Sequence, residues 1–328
     1  MTPEEAVSKM VPPSTRRPGK WMEGVMQIHL TRACDLACSN CTQGSQFAGK
    51  NTFMTLDNFE FACRSLKNYF GLIGIFGGNP ALHPQFNTIC EILRSHFPQE
   101  KCGIWCNHPR GKAAEMRRTF NPAMSNLNVH MVKEAYMEFK RDWPESRPFG
   151  LYKDSRHSPV HGNPAVFIRD EGERWKRISE CDINKHWSAM ICQFRGELRG
   201  FFCEVAGGQA MLHQDDPNYP DTGAQVVCPQ YVTEDDRHTS DWKCFTCRGM
   251  EWWQHQIEEY SHQIQYHCTK CLVPLRGHGA LAHTQSETTI TTEYDHLRPK
   301  GAHILHIIGQ DDSIHPETSR RVIDYLEK

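Results

Sequence analysis

The segment HLTRACDLACSNC, His29 to Cys41, carries Cys34, Cys38 and Cys41 at C-x3-C-x2-C spacing, and no fourth cysteine or histidine lies between Cys34 and Cys41. Clustered thiolates select soft metals, chiefly zinc and iron–sulfur clusters. A structural zinc takes four protein ligands. A [4Fe-4S] cluster held by three cysteines instead leaves one iron open, and an open position is what a catalytic metal uses. A zinc knuckle completed by His29 or His83 also fits the residues.

A second candidate is GIFGGNPALHP, Gly74 to Pro84, where Gly77 and Gly78 end an apolar run. Glycine there lets bare backbone approach a ligand closely, although many strand-to-helix turns look the same. Asn107, closing the apolar CGIWC segment, is a third candidate. Farther along, Cys192 and Cys203 bracket a hairpin pattern with an expected Gly196 to Gly200 turn, and CFTC (Cys244, Cys247) and CTKC (Cys268, Cys271) form a C-x2-C pair. That pair alone suits a zinc ribbon as well as an iron–sulfur centre.

Stepping outward to the whole chain, 328 residues with 37 Lys+Arg against 39 Asp+Glu give a formal charge of -2, so no global basic field drives binding to nucleic acid or membrane. The first residues carry acids and prolines where a secretory signal is apolar, and no apolar run approaches bilayer-spanning length. The expectation is a cytoplasmic protein without a membrane partner. Fifteen cysteines in such a chain point to metal or redox chemistry rather than disulfides. Cys63, Cys90, Cys102 and Cys106 sit in apolar contexts and are expected to be buried small hydrophobes.

The elements that must position these residues follow from periodicity. VMQIHL (Val25 to Leu30) and LIGIF (Leu72 to Phe76) read as buried strands. Thr55 caps a helix with Leu56, Phe59, Cys63, Leu66 and Phe70 on one face, and Phe86 to Phe97 forms another. Strand alternating with helix predicts βαβ units and a mainly parallel sheet, with chemistry at the carboxyl ends of its strands. Residues 1–24 are expected to be a loosely ordered lead-in and Arg141 to Pro164 a long loop. The cysteine-rich part is expected at 186–285, and 286–328 ends in a strand and an amphipathic helix.

The cysteine loop directly after a strand, followed one βα unit later by GGNP and a trailing L-x-P, resembles the radical S-adenosylmethionine (radical SAM) superfamily. The resemblance covers residues 25–185. It implies an α/β fold, a partial parallel (β/α) barrel core, with a small cysteine-rich C-terminal domain. It also implies a [4Fe-4S] cluster on Cys34, Cys38 and Cys41, SAM against Gly77, Gly78, Asn79, Pro80 and Asn107, and an external electron donor. Asn79 departs from the family's usual Glu, and Asn40 from its usual aromatic residue.

The hairpin cysteine followed by C-x2-C resembles the SPASM and twitch extensions of that superfamily, which implies an auxiliary [4Fe-4S] cluster, zinc being the alternative. The ligands expected first are Cys203, Cys268 and Cys271, then Cys192, Cys244 and Cys247. CNHPRGK, CDINK and FRGELRGFFCE look like radical SAM proteins of tailed bacteriophages that act in thymidine hypermodification. That likeness implies isomerisation of N-linked glycinyl-thymidine to the carbon-linked form, with modified DNA as substrate in the host cytoplasm. Arg195, Arg199, Arg248 and Arg276 are the local residues that would have to contact phosphate, and Trp252 with Trp253 is expected to pack rather than to stack on a base. Asp182, Asn184 and Lys185, like Asp154 to Pro159, are expected to line the substrate cavity or to be solvated loop. Modification of a ribosomal peptide or carbohydrate, and a non-enzymatic zinc-ribbon interaction protein, remain alternatives.

Overall fold

The computed structural model describes residues 1–10, 25–36, 41, 43, 45, 52–67, 69, 71–151, 165, 168, 170–181, 189–226 and 257–271. Its centre is one sheet in the order β3-β2-β1-β4-β5-β6. The strands are β1 (Val25–His29), β2 (Leu72–Phe76), β3 (Cys102–Ile104), β4 (Met190–Phe194), β5 (Glu197–Phe201) and β6 (Ala224–Gln225). β1 pairs in parallel with β2 and β4, and β2 with β3, while β4–β5 and β5–β6 are antiparallel. The fold is therefore α/β with an open, mixed sheet.

β1 and β2 are buried at every position, as strands covered on both faces must be. One face, with Met26, Ile28, Ile73, Ile75 and Ile104, joins the main hydrophobic core. Helices α2 (Leu56–Ser65) and α3 (Phe86–His96) carry the crossovers between β1, β2 and β3. The Thr55 hydroxyl caps α2 by accepting from the Asn58 N–H, and Phe59, Ala62 and Cys63 turn inward. In α3 the buried stripe is Phe86, Ile89, Cys90 and Leu93. Cys63, Cys90, Cys102 and Cys106 are all buried, as expected, and desolvation raises each thiol's pKa.

The lead-in differs from expectation at its start. Pro3–Met10 forms α1, with Glu4 and Glu5 in its first turn, Lys9 in its last, and Ala6, Val7 and Met10 buried. Acids and base at those ends match the helix dipole, and the apolar spacing gives the short helix a face to bury. The chain then adds α4 (Ala113–Thr119), α5 (Lys133–Asp142) and α6 (Glu171–Ser179) before β4. Beyond β3 the chain adds isolated bridges, Trp105 with Asn126 and Asn128 with Phe149.

Two helices complete the described chain, α7 (Glu204–Leu212) and α8 (Ile257–Cys268). The β4–β5 hairpin turns on Arg195 and Gly196, both at positive φ, rather than across Gly196 to Gly200. A two-residue turn of that shape matches the strands' twist, and it leaves Gly200 inside β5 opposite Ile191.

Candidate functional site

The carboxyl end of β1 runs into the cysteine loop, and the carboxyl end of β2 runs into the glycine turn; the structure clasps the two together. The Gly78 N–H donates to the Thr31 carbonyl and the Asn79 N–H to the Ala33 carbonyl, each at 2.7 Å. A Cβ on Gly77 would collide with the Thr31 carbonyl oxygen, and one on Gly78 with that of Ala33. The glycines are thus required first by the close approach of the cysteine loop.

Asn79 is fully buried and engages every polar atom it has. Its Nδ2 donates to Asp35 Oδ2 at 2.5 Å and to the His108 carbonyl at 3.0 Å. Its Oδ1 accepts from the Ala81 N–H at 3.2 Å and from the Cys106 thiol at 3.3 Å. An amide offers two donors and one oxygen with two lone pairs, so nothing remains for a ligand. Asn79 also caps the 3-10 turn Pro80–Leu82, in which Pro80 is buried. Asp35 is in turn ion-paired with Arg110. One amide and one carboxylate therefore tie together the loops that follow β1, β2 and β3.

Cys34 and Cys41 are half-buried thiols outside any disulfide, while Cys38 lies outside the described residues. Cys34 is close enough to Cys106 to oppose its ionisation, and Cys41 lies beside Arg32. Burial lowers the Arg32 pKa to about 10, and its Nη1 donates to the Met211 carbonyl in α7 at 3.1 Å. His83 is occupied at both ring nitrogens, Nε2 with the Met54 carbonyl at 2.9 Å and Nδ1 with the Gln85 N–H at 3.1 Å. It therefore has no lone pair free for a metal as it stands.

His29 lies edge-on to Phe76 with centroids 5.2 Å apart, and burial together with Arg32 depresses its pKa to about 3. Its Nε2, like Gln27 Oε1 and Asn107 Oδ1, has no hydrogen-bond partner among the described residues.

A second thiol group forms away from the loop. Cys203 caps α7, its Sγ accepting from the Ala206 N–H at 3.4 Å. Cys268 ends α8, and the Cys271 N–H donates to its carbonyl at 3.2 Å. Cys181 follows α6, its N–H bonded to the Ile178 carbonyl at 3.0 Å. Burial, and after it the neighbouring thiols, raise the pKa of Cys268, whose neighbours are Cys203, Cys271 and Cys181. Gln263 fixes α8 in place by accepting from the Phe202 N–H at 3.1 Å, and His267 Nδ1 meets Gln209 Oε1 at 3.2 Å.

The structure thus brings together Cys203, Cys268 and Cys271, and adds Cys181. Cys192 does not join them. The hairpin register sets it opposite Arg199, fully buried in β4, and burial is the sole cause that raises its pKa. Among the described residues no three Cys, His, Asp or Glu side chains already stand in a metal-ligating arrangement, so these four thiols are neighbours rather than a formed tetrahedron.

Cys244, Cys247, Asp154 to Pro159, Asp182, Asn184, Lys185, Arg248, Trp252, Trp253 and Arg276 lie outside the described residues. Arg195 is engaged internally, donating to the Gln214, Asp216 and Tyr219 carbonyls at 3.0, 2.7 and 2.7 Å. Arg199 pairs with Glu197 and Asp221. Neither stands ready for phosphate. Among the described residues no helix is long and apolar enough to cross a membrane.

Asp35 and Arg110 escaped the sequence reading. Cys181 was visible only as one more cysteine near the change in composition. Comparison of the chain with protein-family models and with curated proteins gives no match.

Proposed function

We propose that the protein is a radical SAM enzyme whose sheet is the wall of a partial (β/α) barrel and whose [4Fe-4S] cluster is held by Cys34, Cys38 and Cys41. The observation that carries this reading is the clasp between the cysteine loop and the Gly77–Asn79 turn at adjacent parallel strand ends. The donor set fits the group, because three thiols are the loop's soft ligands; of the two imidazoles that could close a zinc site, His83 is already engaged, whereas His29 Nε2 is unpartnered among the described residues, so metal analysis must distinguish iron from zinc. When bound, the cluster would supply one electron to SAM, chemistry that yields methionine and a 5'-deoxyadenosyl radical able to take hydrogen from an unactivated C–H bond.

The chain's own residues position and enclose. Asn79, Asp35 and Arg110 hold the cysteine loop against β2 and the loop after β3. SAM is assigned to the backbone of Gly77, Gly78 and Pro80 and to Asn107, with the Asn79 side chain acting as clasp. Cys181, Cys203, Cys268 and Cys271 are assigned to an auxiliary centre, [4Fe-4S] or zinc. Four thiolates leave no open position, so its work is to staple α6, α7 and α8 together. The substrate proposed is glycinyl-thymidine in modified DNA, on the likeness of CNHPRGK and FRGELRGFFCE to phage proteins, and the reaction is isomerisation from nitrogen to carbon linkage.

Anaerobic incubation of iron-loaded protein with reductant and SAM tests the chemistry, with 5'-deoxyadenosine the expected product and Cys38→Ala abolishing it. Intact, reduced protein that never cleaves SAM, with or without candidate substrates, overturns the reading. Glycinyl-thymidine DNA should then undergo a mass-neutral rearrangement, and its persistence unchanged removes that substrate.

A further inference from the structure

The face of the sheet opposite the main core is polar and aromatic where it meets the cysteine loop. Strand alternation and register place Gln27, Gly74 and Gly103 in one row and His29 and Phe76 in the next. A Cβ built on Gly74 would lie 2.7 Å from the Trp105 ring, so that indole covers the bare backbone there. Gln27 and His29 are only 1% and 3% exposed, and Asn107, at the carboxyl end of β3, 8%. Gln27 Oε1, His29 Nε2 and Asn107 Oδ1 nonetheless lack a partner among the described residues.

Buried polar atoms are normally paired, and three orphans in one region of a sheet ask for a common explanation. We propose that this face binds an uncharged, planar cyclic amide or imide, such as a pyrimidine base, between Gln27, His29 and Asn107. Side-chain amides match the alternating donors and acceptors of such a ring, and Trp105 and Phe76 offer ring surface. The proposal deepens the reading above by placing the substrate's reacting group beside the cysteine loop.

The test uses the full-length protein with thymine as probe and needs neither reductant nor SAM cleavage, so it can fail independently of the radical reading. Equilibrium dialysis should show thymine binding that Gln27→Met and Asn107→Leu each weaken about tenfold or more, while benzoate fails to compete. Gln27→Met should retain SAM binding, because Gln27 is not among the residues assigned to SAM. No thymine binding, equal binding by the variants, or loss of SAM binding in Gln27→Met overturns the proposal.

Discussion

Replacing Asn79 by Glu tests the clasp most directly. Asn79 Nδ2 lies 2.5 Å from Asp35 Oδ2 and 3.0 Å from the His108 carbonyl. A glutamate there faces two oxygens with an oxygen. Even if the side chains relax to 4 Å, two like charges at an effective dielectric of 20 repel by about 4 kcal/mol. Arg110 pairs with Asp35 but is 46% exposed, so it offsets no more than about 1 kcal/mol. The lost amide hydrogen bonds add about 1 kcal/mol each. The net expectation is a loss of roughly 3–5 kcal/mol around the cysteine loop.

Guanidinium denaturation should show that loss as a lowered midpoint, and iron bound per chain after anaerobic reconstitution should fall with it. The penalty also carries a pH signature. Repulsion raises the folded-state pKa of one carboxyl above its unfolded value, so the destabilisation is full above the raised value and fades as pH falls from it toward the unfolded value. The double variant Asp35→Asn with Asn79→Glu restores an amide–carboxylate pair with the partners exchanged, and should recover at least half of both losses. Wild-type stability in the single variant, or no recovery in the double, would refute the reasoning.

Gly77→Ala and Gly78→Ala each push a methyl into a carbonyl oxygen of the cysteine loop, and should cost about 1–3 kcal/mol in denaturation and lower iron retention. With Cys34, Cys38 and Cys41 all changed to Ala, bound zinc or iron should persist. Further change of Cys181 to Ser should reduce it, whereas Cys192→Ala should not; mass spectrometry of metals reads the difference. Glu115 is buried, which raises its pKa, but hydrogen bonds and charge from Arg118 and Arg94 outweigh this and leave the pKa lowered. Its contribution to stability is therefore present above the unfolded carboxylate pKa and lost as pH falls through the lower folded value. Glu115→Gln should flatten that acid limb and cost about 1–3 kcal/mol at pH 7.

What the sequence made legible is what neighbouring residues decide. Apolar runs located β1, β2 and α3 to within a residue, and Thr55 announced the start of α2. The lead-in helix was missed because its apolar face is only three residues wide and counts for little until α6 and α8 cover it. The hairpin turn was misplaced because two glycines competed for it. Register settles that choice, since Gly200 is needed opposite Ile191 while Arg195 and Gly196 take the positive φ. The four thiols were harder still. Their grouping depends on where β5 ends, on the length of α8 and on the return of the chain after α6, none of which a C-x2-C spacing encodes.

The same logic explains why α7 matters beyond its nine residues. Cys203 stands at its amino end, in the four-thiol group, and the Met211 carbonyl near its other end holds Arg32, which lies beside Cys41. At 1.5 Å per residue those two points are roughly 12 Å apart along one rigid element. Gln43, in the cysteine-loop region, adds a bond to the Glu204 carbonyl at 3.5 Å, close to the Cys203 end. A change that loosens the four-thiol group should therefore reach the first loop through α7. Cys203→Ser should for that reason lower iron retention at Cys34, Cys38 and Cys41, and a Met211→Pro change after it should add little. If the two changes were fully additive, α7 would not be the link between the two groups.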